Sequence, residues 1–539
     1  MSPRIGTVVA GLALACTVCA PVACGGRPGY WDEPAKAASS SYGLANGVAL
    51  VDDAAHRVVV LAARPDQDLA ARALPVGHHV VSAAASTDGA RLFVLSAGDT
   101  PRRSAADEQP SLTVIDATTF EANATRFPMA QPLANLAIDP LGRWVAAYSG
   151  SGTATSFVQN PNEIVLFDLA APPGPQNPTS RTIRSFGGQP RRITFTPTLH
   201  LPGGARRLLL IETDLDVTLL DLDHAFDSPP RPEITVRLTS GADARQVTPA
   251  GLVVDDGDET RTDDARIALR TSDDTNVITL QLAPSAAGAP NDFAPTVNLT
   301  EVGGLASDIA FVRTDGGLRV AAIVPSTSSA VLVEPDTSLT TQVKLPASYA
   351  RISLVTDVVA AGAGTDVALL WSGSSGSASG VAFWTLGKTV GQPYRSIEVV
   401  NVSAAVANVR DVPAPNAHLK VLEVGGSSGF FVLDLKARTA SPLSSMTTPT
   451  LTIAPDGLRL WAYARGSAEL ASVDLTSLHP VPLTTDAPID ALYDVAREAG
   501  GRSLIAIHAS GTVGATVFDA LAPDTASSRR AAALLLEGP

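Results

Sequence analysis

From Val48 onward, short apolar runs are separated by clusters of Gly, Pro, Asp, Ser and Thr, and no stretch sustains the spacing of an amphipathic helix. The pattern predicts an all-β chain. Its clearest unit lies between Ser86 and Asp116: a turn at Asp88-Gly89, an apolar strand over residues 91–95, a polar loop, and a second apolar strand over 112–115 that stops on Asp116. Both strands are apolar at nearly every position. An open sheet with one wet face would alternate, so continuous runs predict burial on both faces.

The unit recurs. Its second strand ends at Asp116, Asp168, Asp221, Gln281, Glu334, Thr385, Asp434, Asp474 and Asp519, in steps of 40 to 60 residues, and one earlier unit begins at Val48. A repeat of this length with several strands per unit predicts a β-propeller built from about ten four-stranded units, each one a blade. Ten exceeds the usual blade count of about 4 to 8. One large ring is the favoured arrangement, and two rings are the alternative. The closing aspartates predict a structural role, each accepting a backbone N–H two residues on in an Asx turn.

Asp-Gly or Pro-Leu-Gly turns precede the first strand at Asp88-Gly89, Pro140-Leu141-Gly142 and Asp456-Gly457. With the closing aspartates they give a rhythm that resembles the YVTN and lactonase-like propeller superfamily, most clearly in STDGARLFVLS followed by SLTVIDATT and in APDGLRLWAYARGSAELASVDLTS. The middle units, around 277–282 and 381–386, lack the closing Asp. The resemblance is one of repeat pattern and specifies no function, and two function classes remain. One is a binding or scaffolding module that uses loops on one face of the ring. The other is a lactonase-like hydrolase or lyase, with carboxylates and a histidine at the central channel. The ends of the apolar strands read as mostly apolar, Ser, Gly or Thr, which favours the binding module.

The start of the chain has a different character. All three cysteines, Cys16, Cys19 and Cys24, precede residue 25, so the body holds no disulfide or cysteine metal site. Arg4 is followed by an uncharged, mostly apolar run over 5–23, the pattern of a secretory signal. It resembles a bacterial lipoprotein signal, with Cys24 as the favoured lipidation site because cleavage there removes every other thiol, and Cys16 as the alternative. Residues 1–24 are thus expected as a signal peptide and 25–44 (GGRPGYWDEPAKAASSSYGL) as a flexible tether. The propeller is expected over 45–539. The resemblance implies a place on the bacterial cell envelope, facing the periplasm or exterior, with the membrane as a partner through the N-terminal lipid.

Composition narrows the ligand more than it identifies it. Apolar residues make up 45% and charged residues 17%, ample for a core, and the net charge of -14 argues against nucleic acid. The expected partner is another envelope protein or a polysaccharide. No cofactor is expected, since the eight histidines show no metal-ligand spacing. The acidic run Asp255, Asp256, Asp258, Glu259, Asp263 and Asp264 misses the EF-hand spacing and reads as a solvated loop. Gly425-Gly426-Ser427-Ser428-Gly429 matches G-x-S-x-G but joins two strands, so it reads as a hairpin and not a nucleophile elbow. The candidate binding feature is the long loop of residues 96–110, with Arg102, Arg103, Asp107 and Glu108.

Overall fold

The computed structural model describes residues 40–65, 68–150, 160–186, 188–240, 245–355, 365–387, 396–425, 429–443, 450–508, 514–523 and 529–532. These residues form ten four-stranded antiparallel blades, each built in chain order from one edge to the other. Eight stand alone. The seventh and eighth share the long strand Ile397–Asp411, which pairs with Ser379–Thr385 as the fourth strand of one and with Leu419–Val424 as the first of the next. The fourth blade carries an extra hairpin, Leu199–Leu201 with Gly204–Arg206, between its first two strands.

The apolar runs of the sequence are the second and third strands of each blade. In the second blade, Arg91–Ser96 and Ser111–Asp116 are buried nearly throughout, while the fourth strand Asn123–Pro128 is exposed apart from Phe127. Burial on both faces follows from stacking. Ten apolar clusters fill the spaces between successive blades, each with residues from two neighbours. One of them joins Val48, Leu50 and Leu61 of the first blade to Val495, Ile505 and Val517 of the tenth. The blades therefore close into a single ring. Each such side chain contributes about 1.5–3 kcal/mol by leaving water.

The first strand, Ser40–Leu44, completes that closure. Tyr493 Oη donates to the Ser41 carbonyl (2.8 Å) and meets its hydroxyl at 2.8 Å, and Ala496 N–H donates to the Ala45 carbonyl. Gly43 makes the approach possible: a Cβ there would lie 2.8 Å from the Tyr493 ring. The expected boundary between tether and propeller is thus displaced. Residues 40–44, expected within the tether, belong to the first blade.

Polar clamps reinforce the apolar joints. Arg207 of the fourth blade grips Asp139 of the third with both carboxylate oxygens, at 2.7 and 2.6 Å. Between the ninth and tenth, Trp461 Nε1 donates to Asp494 Oδ2 (2.8 Å) and Arg502 Nε to Oδ1 (2.6 Å). Other arginines pair within a blade, among them Arg91 with Asp116 and Arg143 with Asp168 across adjacent strands.

All six closing aspartates make the expected turn. Asp116, Asp168, Asp221, Asp434, Asp474 and Asp519 each accept the backbone N–H two residues on, at 2.8–3.1 Å. They are thereby explained one at a time, as turn residues at the rim.

Candidate functional site

Antiparallel strands place the start of every first strand and the end of every second strand on the same face of the ring. First strands of neighbouring blades touch one another, so they line the central channel. On this face, over the fourth to seventh blades, five charged residues converge at the inner rim. Arg192 opens the first strand of the fourth blade and Glu212 closes its second. Arg270 lies near the end of the second strand of the fifth. Asp308 and Arg351 open the first strands of the sixth and seventh.

The five are electrostatically linked. Glu212, almost wholly buried, accepts from Arg192 Nε at 2.5 Å. Asp308 accepts the N–H of Ile309 and of Ile352, each at 3.1 Å, and lies 4.0 Å from Arg351. Burial raises the pKa of both carboxyls against the opposing pull of Arg192 and Arg270 on Glu212 and of Arg351 and Arg270 on Asp308. Burial likewise lowers that of Arg270, which lies in the field of Asp308, Arg351, Arg192 and Glu212. Most second strands end on apolar residues, Ser or Thr; Glu212, and Arg270 one residue before its strand's end, are charged exceptions.

The loop of residues 96–110 connects the second and third strands of the second blade and so emerges on this face. Two of its four candidate residues hold the loop itself. Asp107 accepts N–H bonds from Arg103 and Ser104 and one from the Ser104 hydroxyl, and these hold its carboxyl below the usual range. Glu108 faces His78 Nε2 (2.9 Å) and pairs with Arg126, while Asp99 meets His78 Nδ1 (2.9 Å) and accepts the Glu108 N–H (2.8 Å). Arg102 and Arg103 are exposed. The loop is stiffened from within and presents two guanidinium groups outward.

The histidines are partly gathered. His56 lies 4.1 Å from His78 and 6.3 Å from His79 between ring centroids, although nothing in their sequence spacing showed this. Among the described residues no group of three His, Cys, Asp or Glu could hold a metal ion. The acidic run lies on the opposite face, and its carboxylates are taken up by neighbours: Asp256 by His200 of the fourth-blade hairpin (2.5 Å), Asp258 by Thr260, Asp263 by Arg261, and Asp264 by the Asp258 N–H. After the G-x-S-x-G string the chain enters strand Phe430–Asp434; residues 426–428 lie outside the described residues. So do Cys16 and Cys24.

The architecture defines the protein as a β-propeller of ten blades. No family model and no curated protein sequence matches the chain. Solved structures that align with it include dihydro-heme d1 dehydrogenase NirN in complex with DHE, 12% identical over 85% of this chain and 77% of that one, with a TM-score of 0.39. Apo AztD from Citrobacter koseri is 11% identical over 74% and 95%, with a TM-score of 0.32. The WD40 domain of SCAP from fission yeast is 10% identical over 81% and 92%, with a TM-score of 0.35. At TM-scores below 0.5 these alignments carry no function to this chain, and the fold assignment rests on the ten blades themselves.

Proposed function

We propose that the protein is a lipid-tethered propeller of the bacterial cell envelope that binds an envelope protein or polysaccharide on one face of its ring. One observation carries this reading: the outward arginines of the 96–110 loop and the charged inner rim share a face. Ser40 opens the first inner strand on that same face. An anchor upstream, at Cys24 or Cys16, would tether the ring by it and keep it near the membrane surface, where such partners reside.

The test compares the full chain with R102E/R103E, both immobilised and exposed to solubilised envelope components at low and high salt. The double variant is expected to retain about a tenth or less of what the natural chain holds at low salt, with the difference shrinking as salt screens it. Equal retention would overturn the assignment of this face. The address is tested separately, by mass spectrometry of the mature N-terminus, which is expected to start at a diacylated or triacylated Cys24; an unprocessed Met1 would overturn it.

The lactonase-like hydrolase or lyase is the second reading. It draws on Glu212 and Asp308, whose burial raises the pKa of both carboxyls, the direction that suits a general acid. Lactone or ester turnover by the purified chain that disappears in E212Q would favour it over the binding module.

A further inference from the structure

We propose that the inner rim is an oxyanion site, in which Arg270 takes a carboxylate or phosphate group of the ligand. The inference rests on the binding-face reading and names the ligand chemistry that the face would recognise.

The geometry begins with a glycine. Gly251, on the first strand of the fifth blade, is the cross-strand partner of Arg270, next to a register shift between Pro249 and Gly251. A Cβ at Gly251 would lie 2.8 Å from Arg270 Nε and 3.4 Å from Cζ. The Arg270 side chain therefore crosses the backbone of the inner strand, toward the channel. Gly251 has no left-handed φ, so conformational freedom does not explain its presence. The space it leaves for the guanidinium does.

Arg270 reaches this position without a hydrogen-bond acceptor among the described residues. The two nearby carboxylates are committed elsewhere, Glu212 to Arg192 and Asp308 to the N–H groups of Ile309 and Ile352. A guanidinium offers five N–H donors in a planar fork that matches a carboxylate or phosphate. The rim as a whole sets three guanidinium groups, Arg192, Arg270 and Arg351, against two carboxylates. This local positive excess sits in a chain of net charge -14, whose overall field repels anions. Anion binding here is therefore a property of the rim and not of the surface at large. The burial that lowers the Arg270 pKa also weakens competition from water for an incoming anion.

Isothermal titration of the full chain in detergent, with inorganic phosphate, galacturonate and neutral galactose as probes, tests the site. Binding of phosphate or galacturonate, without binding of galactose, is expected, and which anion binds distinguishes a phosphoryl ligand from a carboxylated sugar. R270Q is expected to weaken that binding by about 10- to 100-fold, the usual range for losing hydrogen bonds to a charged group. R270K should retain part of it, as a point charge without the fork. G251A, which pushes the guanidinium aside, should weaken it as well. Should R270Q fail to fold, judged by its urea transition, R351Q serves as the second variant and is expected to lose several-fold. Failure of both anions to bind the natural chain, or R270Q and R351Q binding like it, overturns the site. If the loop variant still loses its envelope partner, the binding face survives that result. Anion binding with an inert loop variant would do the reverse.

Discussion

Replacing Asp139 with alanine is expected to cost about 3–5 kcal/mol of stability, the usual consequence of breaking a buried ion pair and leaving one charge uncompensated. Asp139 sits in the turn after the first strand of the third blade and is 1% exposed. It accepts N–H groups from Leu141 (3.0 Å), Arg143 (3.2 Å) and Trp144 (3.3 Å), besides both guanidinium bonds from Arg207. Alanine would orphan the backbone donors and strand Arg207, itself only 12% exposed, at the joint between two blades. Asparagine keeps the shape and one of the two acceptor oxygens but loses the charge, so D139N should fall between alanine and the natural chain. Burial alone would raise the Asp139 pKa, but the hydrogen bonds and charge of Arg207 and the backbone donors hold it below the ordinary 3.8. A depressed carboxylate stabilises the fold fully above its unfolded pKa and loses that contribution as pH falls through the folded one. Urea titrations should therefore show the gap between the natural chain and D139N widest near neutrality and closing below about pH 3.8. A loss under about 1 kcal/mol for alanine at pH 7 would contradict the clamp, since only an exposed pair is worth so little.

Deleting the first strand should have the other large effect. A chain that begins at Gly47 lacks Ser40–Leu44, and with it buried Leu44, both contacts of Ser41 with Tyr493, and the cover over the edge of Gly47–Asp52. The ring then has a gap at its seam, and an uncovered edge of the apolar strand GVALVD, which pairs readily with other chains. Loss of the cooperative thermal transition, with oligomers or precipitate on size-exclusion chromatography, is expected. A chain that begins at Ala37 keeps the strand and should melt as the full chain does. Equal behaviour of the two truncated chains would show that the seam does not depend on the strand.

The sequence made some elements legible and hid others for physical reasons. Second and third strands were readable because neighbouring blades cover both their faces, which demands unbroken apolar runs such as RLFVLS and SLTVID. The closing aspartates were readable because an Asx turn is a local interaction. The strand SSYGL was not, since it is made of small and polar residues and holds its place through Tyr493, some 450 residues away. Short polar fourth strands such as TTQVK left no apolar trace because they lie at the outer edge of a blade, exposed at every position but Val343.

The inner rim was hidden by distance along the chain. Arg192, Glu212, Arg270, Asp308 and Arg351 come from four blades, and no window of sequence contains them together. A signal did exist. Once the repeats are set in register, Arg192, Asp308 and Arg351 fall at the start of a first strand, and Glu212 and Arg270 at or beside the end of a second. Reading position within the repeat, rather than spacing between residues, would have gathered them. The 96–110 loop was legible by its length and charge, but not the division within it between Asp107 and Glu108, which hold the loop, and Arg102 and Arg103, which face outward.

Electron cryomicroscopy of the purified chain, viewed along the channel, would show directly whether ten blades form a single ring closed by the strand at Ser40. Ten spokes around one axis, with no break between the tenth and the first, are the expected result. Two smaller rings side by side, or an open seam beside Tyr493, would contradict it.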